Sequence, residues 1–267
     1  MTRLITALAT VFLVTPISAA IASTQLDERV DSATAVLEKL TQIPEQGIPP
    51  TLLRNAYGVA VIPSVIKAGF WIGGSYGKGL LVVRKPNGGW SNPAFITLGA
   101  GSFGPQIGAQ SSDIVLVFKS RKSVDRLTKG KLKLGGDANV AAGPVGRHTS
   151  AATDLRLQAE IYSYSRNRGL FAGISLEGAV ISMDGKANYA FYGIGQGTTA
   201  RILDDDYLPT PAHARQFIEV LTAKAPRLKS QGSRTADNSA ASTGSAYSGA
   251  RTYSIDDAPT LNSDASY

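Results

Sequence analysis

The densest cluster of chemically capable side chains in this sequence is cationic. Residues 119–133 carry Lys119, Arg121, Lys122, Arg126, Lys129, Lys131 and Lys133 against one acid, Asp125, a net charge of +6. A run of that sign and density attracts anions, whether headgroups of an acidic membrane or carboxylates of a protein face. Each basic residue held near an anionic membrane contributes about 1 kcal/mol. The competing reading is a solvated face that only keeps the protein in solution. Nucleic acid would use the same charge, but no aromatic residues are interleaved for base stacking. Arg147, Arg166 and Arg168 add three guanidinium forks suited to phosphate oxygens. They can equally pair with Asp154, Glu160 or Glu177 and hold loops together.

The rest of the inventory excludes more than it offers. Cysteine is absent, so disulfides, thiolate metal sites and cysteine nucleophiles are ruled out. Histidine occurs twice, at His148 and His213, which leaves little for a metal site or a proton relay. His148 lies near Ser150 and Asp154, but closeness in sequence is not a triad in space. The stretch Gly173-Ile-Ser-Leu-Glu-Gly178 has one residue too many for a nucleophile elbow. Asp204, Asp205 and Asp206 are adjacent, without the spacing of a cation loop, and read as a solvated turn. Gly73-Gly-Ser-Tyr-Gly-Lys-Gly79 lacks the spacing and the hydroxyl after lysine that a phosphate loop needs. It reads as a glycine-rich turn and strand bend, with Lys67 and Lys78 available to assist headgroup binding. No catalytic pair, cofactor site or metal site emerges.

The elements that must carry these residues follow from periodicity. Leu26, Val30, Ala33, Leu37, Leu40 and Ile43 recur at steps of three and four, an amphipathic helix closed by Pro44 and Gly47. A short helix is expected at 51–56. Strands are expected at 57–62, 79–84, 94–98, 114–118 and 157–164, and a hairpin at 170–176 and 179–183. Residues 131–134 read Lys-Leu-Lys-Leu, one face buried and one basic. A short helix is expected at 184–192 and a later one capped by Thr210 with Pro211 at its first position. No regular strand–helix alternation appears. The fold class is therefore α+β: an antiparallel β-rich core, sandwich or barrel-like, with an N-terminal amphipathic helix and flanking helices.

The ends differ from the middle. Arg3, the apolar run 4–14, Pro16 and Ala20-Ile21-Ala22 have the form of an export signal cleaved before Ser23. Residues 230–267 are rich in Ser, Ala, Gly, Asn, Asp and Thr and lack an apolar period, as in a disordered tail. The whole chain carries a net charge of +7, and its folded part, residues 23–229, is the positive portion.

Several ordered motifs occur together: Tyr57-Gly-Val-Ala-Val-Ile-Pro63, Lys67-Ala-Gly-Phe70, the Gly73–Gly79 stretch, and Gly89-Trp-Ser-Asn-Pro-Ala-Phe95. They are followed by Gln106-Ile-Gly-Ala-Gln-Ser-Ser-Asp-Ile-Val-Leu-Val-Phe118, Ala141-Ala-Gly-Pro-Val-Gly-Arg147 and Tyr164-Ser-Arg-Asn-Arg-Gly-Leu-Phe-Ala-Gly173. Together they resemble the SYLF domain, the Ysc-type actin-binding or lipid-binding family, over residues 26–225. Eukaryotic members of that family bind phosphoinositides, and some bind actin filaments. Exported bacterial members are described as lipid-binding, and this chain is similar to them: a signal peptide and one domain, without an SH3 or FYVE partner. The resemblance implies an exported, non-enzymatic protein at the periplasm or cell envelope, associated peripherally with membrane. Its partner would be an anionic, phosphoinositide-like phospholipid or membrane surface, met by the basic strip with Arg147, Arg166 and Arg168. Phe70, Trp71 and Phe103 are candidate apolar wedges. The alternatives are a scaffold or filament-interacting protein of the actin-binding type, with a protein partner, and a carrier holding a lipid chain in its β core.

Overall fold

The computed structural model describes residues 17–42, 47–143, 159–167, 170–171, 176–195 and 199–225. Most of the export signal, the tail 230–267, His148, Arg147 and Arg168 lie outside them. In chain order the elements are α1 (Ile17–Gln42), α2 (Pro50–Arg54), β1 (Gly58–Val83), β2 (Ala94–Phe118), α3 (Arg121–Thr128) and β3 (Lys131–Lys133). There follow β4 (Val140–Ala142), β5 (Ile161–Asn167), β6 (Leu170–Phe171), β7 (Val180–Met183), α4 (Gly185–Tyr192), α5 (Thr199–Asp204) and α6 (Ala212–Lys224). The α+β class is as expected, built on one curled sheet. Its ladders are antiparallel except for the parallel pair β4–β5.

The four strands expected between 57 and 118 are two long ones. β1 and β2 form a ribbon paired from Gly58↔Phe118 to Leu81↔Ala94. The ribbon doubles back, so the two halves of β1 run side by side. Arg84 N–H donates to Tyr57 O at 2.8 Å. A Cβ on Gly79 would lie 2.8 Å from the Ile62 Cα and closer still to the Val61 carbonyl oxygen. A Cβ on Gly77 would lie 2.7 Å from Val65 Cγ2. The glycine-rich stretch read as a turn is thus strand, and its glycines allow two backbones to approach. At Ser64 (φ 48°) a bulge shifts the register, and Asp113 Oδ1 accepts the Ser64 N–H at 3.0 Å.

On its other edge β2 pairs first with β7 and later with β5. The described residues of the expected 170–183 hairpin pair elsewhere: β6 pairs β5, whereas β7 lies between β2 and β3. Strand alternation then divides the core in two. Val59, Val61, Leu80, Val82, Phe95, Val115 and Val117 face α1 and α6, meeting Val30, Leu37, Leu40, Phe217 and Leu221. Ala60, Ile62, Leu81, Ile96, Ile114 and Leu116 face the opposite way, toward Val124 and Leu127 of α3. Each large apolar side chain so buried contributes roughly 1.5–3 kcal/mol.

Polar contacts fix the helices to this frame. Asp184 caps α4 by accepting from Ala187 N–H at 3.1 Å, and its other oxygen pairs with Arg29 of α1 at 3.3 Å. The buried Asn188 amide both accepts from and donates to the Phe95 backbone, at 2.7 and 3.1 Å. Arg84 donates to the Leu53 and Arg54 carbonyls at the end of α2 and lies 3.7 Å over the Trp90 ring. Thr210 does not cap α6. Pro211 holds the N-cap position, and the Thr210 hydroxyl donates to Asn92 Oδ1 at 2.6 Å.

One surface contact makes stability depend on pH. His213 of α6 and Asp31 of α1 share a hydrogen bond of 2.7 Å. That bond, reinforced by the charges of Asp31 and Asp27, raises the His213 pKa above its ordinary value of 6.5. A raised folded-state pKa gives stabilisation that is complete below the unfolded value and lost as pH rises through the folded one. Melting temperature measured between about pH 5.5 and 8.5 is expected to fall slightly more with rising pH in the native protein than in His213→Ala.

Candidate basic interface

α3 is placed by its apolar side. Val124 and Leu127 are buried under the sheet, and Ser123, also buried, donates its hydroxyl to the Glu160 carboxylate. Packing that side inward turns Arg121, Lys122 and Asp125 to solvent. Lys119, half-buried, leads into the helix from β2, its N–H donating to Glu160 O at 2.8 Å. Arg121 reaches Asp125 at 4.0 Å, an exposed i,i+4 pair. Arg126 donates to the Asp137 carbonyl, so its guanidinium holds the 134–138 turn rather than facing outward. Lys122 and Lys129 are exposed and form no ion pair with any described residue. Together with Arg121 they make a positive ledge over one face of the sheet.

The structure does not keep the seven-residue strip on one surface. Leu132 is buried on the α3 side of the sheet, so its neighbours Lys131 and Lys133 leave by the opposite side. They stand on the edge strand, a common place for lysine because a charged edge discourages pairing with another chain. Asp137 closes this edge further: its carboxylate accepts Lys133 N–H and its own N–H donates to Lys133 O, both at 2.8 Å.

Arg166 is remote from the ledge. It lies five positions along β5 from Ile161, about 17 Å at strand rise, and its register partner is Asp113. Among the described residues Glu160 accepts from Ser123, and its pairing with Arg147 or Arg168 lies outside them. Glu177 sits against the turn at Gly135. The side chains of Phe70, Trp71 and Phe103 are outside those described. Asp205 and Asp206 are held in ion pairs with Arg201 at 3.5 Å and Lys85 at 2.5 Å. Among the described residues no cluster of three His, Asp or Glu side chains is arranged to hold a metal.

Tyr57 is an exposed aromatic that sequence reading missed, and because Gly58 points at α3, strand alternation turns the Tyr57 side chain away from the ledge. Its N–H donates to Phe118 O at 2.8 Å, which sets it beside Lys119, and it is 44% exposed. The following residue, Gly58, lies against Val124 of α3, where a Cβ would come within 3.1 Å. The only sequence signal of Tyr57 was a large aromatic at the start of a strand.

A curled sheet with helices packed on both faces, one of them cationic on its outer side, defines an α+β domain with an accessible charged surface. Residues 99–224 match the model of the family described as Ysc84: Las17-binding protein actin regulator. The chain is 35% identical over 215 residues to SH3 domain-containing YSC84-like protein 1 of Rattus norvegicus, covering 78% of this chain and 62% of that protein. It is 39% identical over 183 residues to SH3 domain-containing protein PJ696.02 of Schizosaccharomyces pombe, covering 67% and 42%. With Protein YSC84 of Saccharomyces cerevisiae the identity is 34% over 184 residues, covering 68% and 39%. The chain belongs to the Ysc84, or SYLF, family. It spans less than two thirds of the length of these relatives.

Proposed function

We propose that this domain is a non-enzymatic protein-interaction module whose α3 ledge docks on an acidic protein surface of the filament or scaffold type. The observation that carries the reading is the ledge: Lys122 and Lys129 exposed on and just after α3, with Arg121 beside them. The family description, an actin regulator that binds Las17, supports a protein partner. Complementary charge steers such encounters and makes them sensitive to salt. Co-sedimentation of the full chain with polymerised actin, the probe for an acidic filament, tests it. Pelleting that declines as salt is raised from about 0.05 to 0.3 M is the expected result. No pelleting at low salt removes the filament reading.

Anionic phospholipid is the second reading, favoured because the ledge cations that form no ion pair with a described residue, Lys122 and Lys129, are both lysines. Lysines are point charges that suit a crowded headgroup plane without stereospecific bonds. Vesicles containing phosphatidylserine, pelleting the protein where filaments do not, would establish it. Export belongs to the same proposal. Leu26, Val30, Ala33 and Leu37, buried in α1, all lie after the cleavage expected before Ser23, so that cleavage would keep them. An N-terminus at Ser23 in the mature protein supports export, and retention of Met1 in the cell envelope fraction removes it.

A further inference from the structure

We infer that the sheet face left open beyond α1 and α6, opposite the α3 ledge, docks an acidic amphipathic helix of a partner protein. This surface is separate from the ledge and goes beyond the reading above. The ladders define it. Lys131 stands opposite Ser182, Ser182 opposite Thr97, and Thr97 opposite Lys78, so these side chains form one row across β3, β7, β2 and β1. The Thr97 and Ser182 hydroxyls share a hydrogen bond of 2.9 Å, which confirms that they point to the same face. Lys78 lies two positions from Leu80, a residue packed under the helices, so this face continues the helix-covered one.

The next row supplies the apolar part. Lys133 stands opposite Val180, Val180 opposite Gly99, and Gly99 opposite Tyr76. Gly77 lies against Val65, which puts Tyr76 beside Ile66 across the two halves of β1. Tyr76 and Ile66 are 54% and 58% exposed, unusual for large apolar residues on a sheet. Between Tyr76 and Val180 the floor is Gly99, and a Cβ there would meet nothing within 4 Å. Gly101, one step further along, is equally open.

The occupant follows from this layout. A glycine floor bordered by Tyr76 and Ile66 receives protruding side chains rather than inserting its own, which fits a partner's apolar stripe better than a bilayer. Lys131 and Lys78 are three strands apart, about 14 Å, so a helix lying along the row passes both cations within three turns. α1 and α6 already pack on this face, and a third helix extends their layer. The exposed cations Lys78, Lys131 and Lys133 call for carboxylates on the two flanks of the stripe.

The test uses the full chain and a fluorescein-labelled synthetic peptide of about 18 residues, with leucine at helical spacing and glutamate elsewhere. A scrambled peptide of the same composition keeps the charge and loses the stripe. Fluorescence anisotropy is expected to show binding at least about tenfold tighter for the patterned peptide. Lys78→Glu, and separately Gly99→Leu, are expected to abolish that difference, while Lys122→Glu on the ledge leaves it in place. Circular dichroism checks that each variant folds; Lys78 is exposed and Gly99 has open space above it, so both substitutions fit. Equal binding of both peptides overturns the inference, as does equal weakening by Lys78→Glu and Lys122→Glu. Phosphatidylserine vesicles that lose binding with Lys78→Glu, when neither peptide binds, would assign the face to a membrane instead. Filament pelleting is expected to respond to Lys122→Glu and not to Lys78→Glu, so the ledge and this face fail independently.

Discussion

Reversing the ledge, with Lys122→Glu and Lys129→Glu together, is expected to weaken filament co-sedimentation by about 30-fold or more. Both side chains are exposed and form no ion pair with any described residue, so the change removes two attractions and adds two repulsions without breaking a described internal bond. Each reversal is then worth at least about 1 kcal/mol near an acidic surface. The matched variant is Lys131→Glu with Lys133→Glu. It alters net charge by the same amount, on the other side of the sheet. If only net charge mattered, both variants would lose binding equally. The ledge reading instead expects the β3 variant to stay within about threefold of the native protein, because charges more than about 8 Å away are largely screened at physiological salt. The thermal midpoint of each variant, measured alongside, is expected to stay near the native value.

Gly79→Ala is expected to produce the largest loss of stability from a single methyl group. The added carbon would meet the Val61 carbonyl and the Ile62 Cα, both backbone, so no side chain can rotate away. The two halves of β1 would have to separate in the middle of the sheet. Overpacking of this kind costs about 1–3 kcal/mol, which lowers the thermal midpoint of a domain this size by roughly 3–10 °C. Gly99→Ala is the comparison. It lies on the partner strand in open space, and removing glycine flexibility there is expected to be neutral or stabilising by about 0.5 kcal/mol. Differential scanning calorimetry distinguishes them. Equal midpoints for the two variants would mean that the halves of β1 do not touch.

Local periodicity made part of this legible. Leu26, Val30, Ala33, Leu37 and Leu40 announced α1 and its buried side, and Lys-Leu-Lys announced a strand with one basic face. The α+β class followed from these and from the lack of strand–helix alternation. What could not be read was which partner each face meets. Gly77 and Gly79 look like loop residues because glycine is common in loops, yet they are needed where two strands crowd together, a tertiary requirement. The face taken by Lys131 depends on β7, fifty residues further along the chain. The cations of 119–133 are contiguous in sequence, but α3 and β3 turn them to opposite sides of one sheet. Arg166 failed to join them because antiparallel pairing carries it along β5 toward Asp113.

The pairing of α1 with α6 joins the beginning of the domain to its end. Val30, Leu37 and Leu40 are covered by Phe217 and Leu221. During vectorial synthesis the first helix leaves the ribosome long before its cover exists. A nascent chain stalled before Ala212 would present this apolar stripe to chaperones, and release from them should coincide with emergence of the last helix. Final closure of the domain is therefore timed by the emergence of α6 rather than by local helix formation.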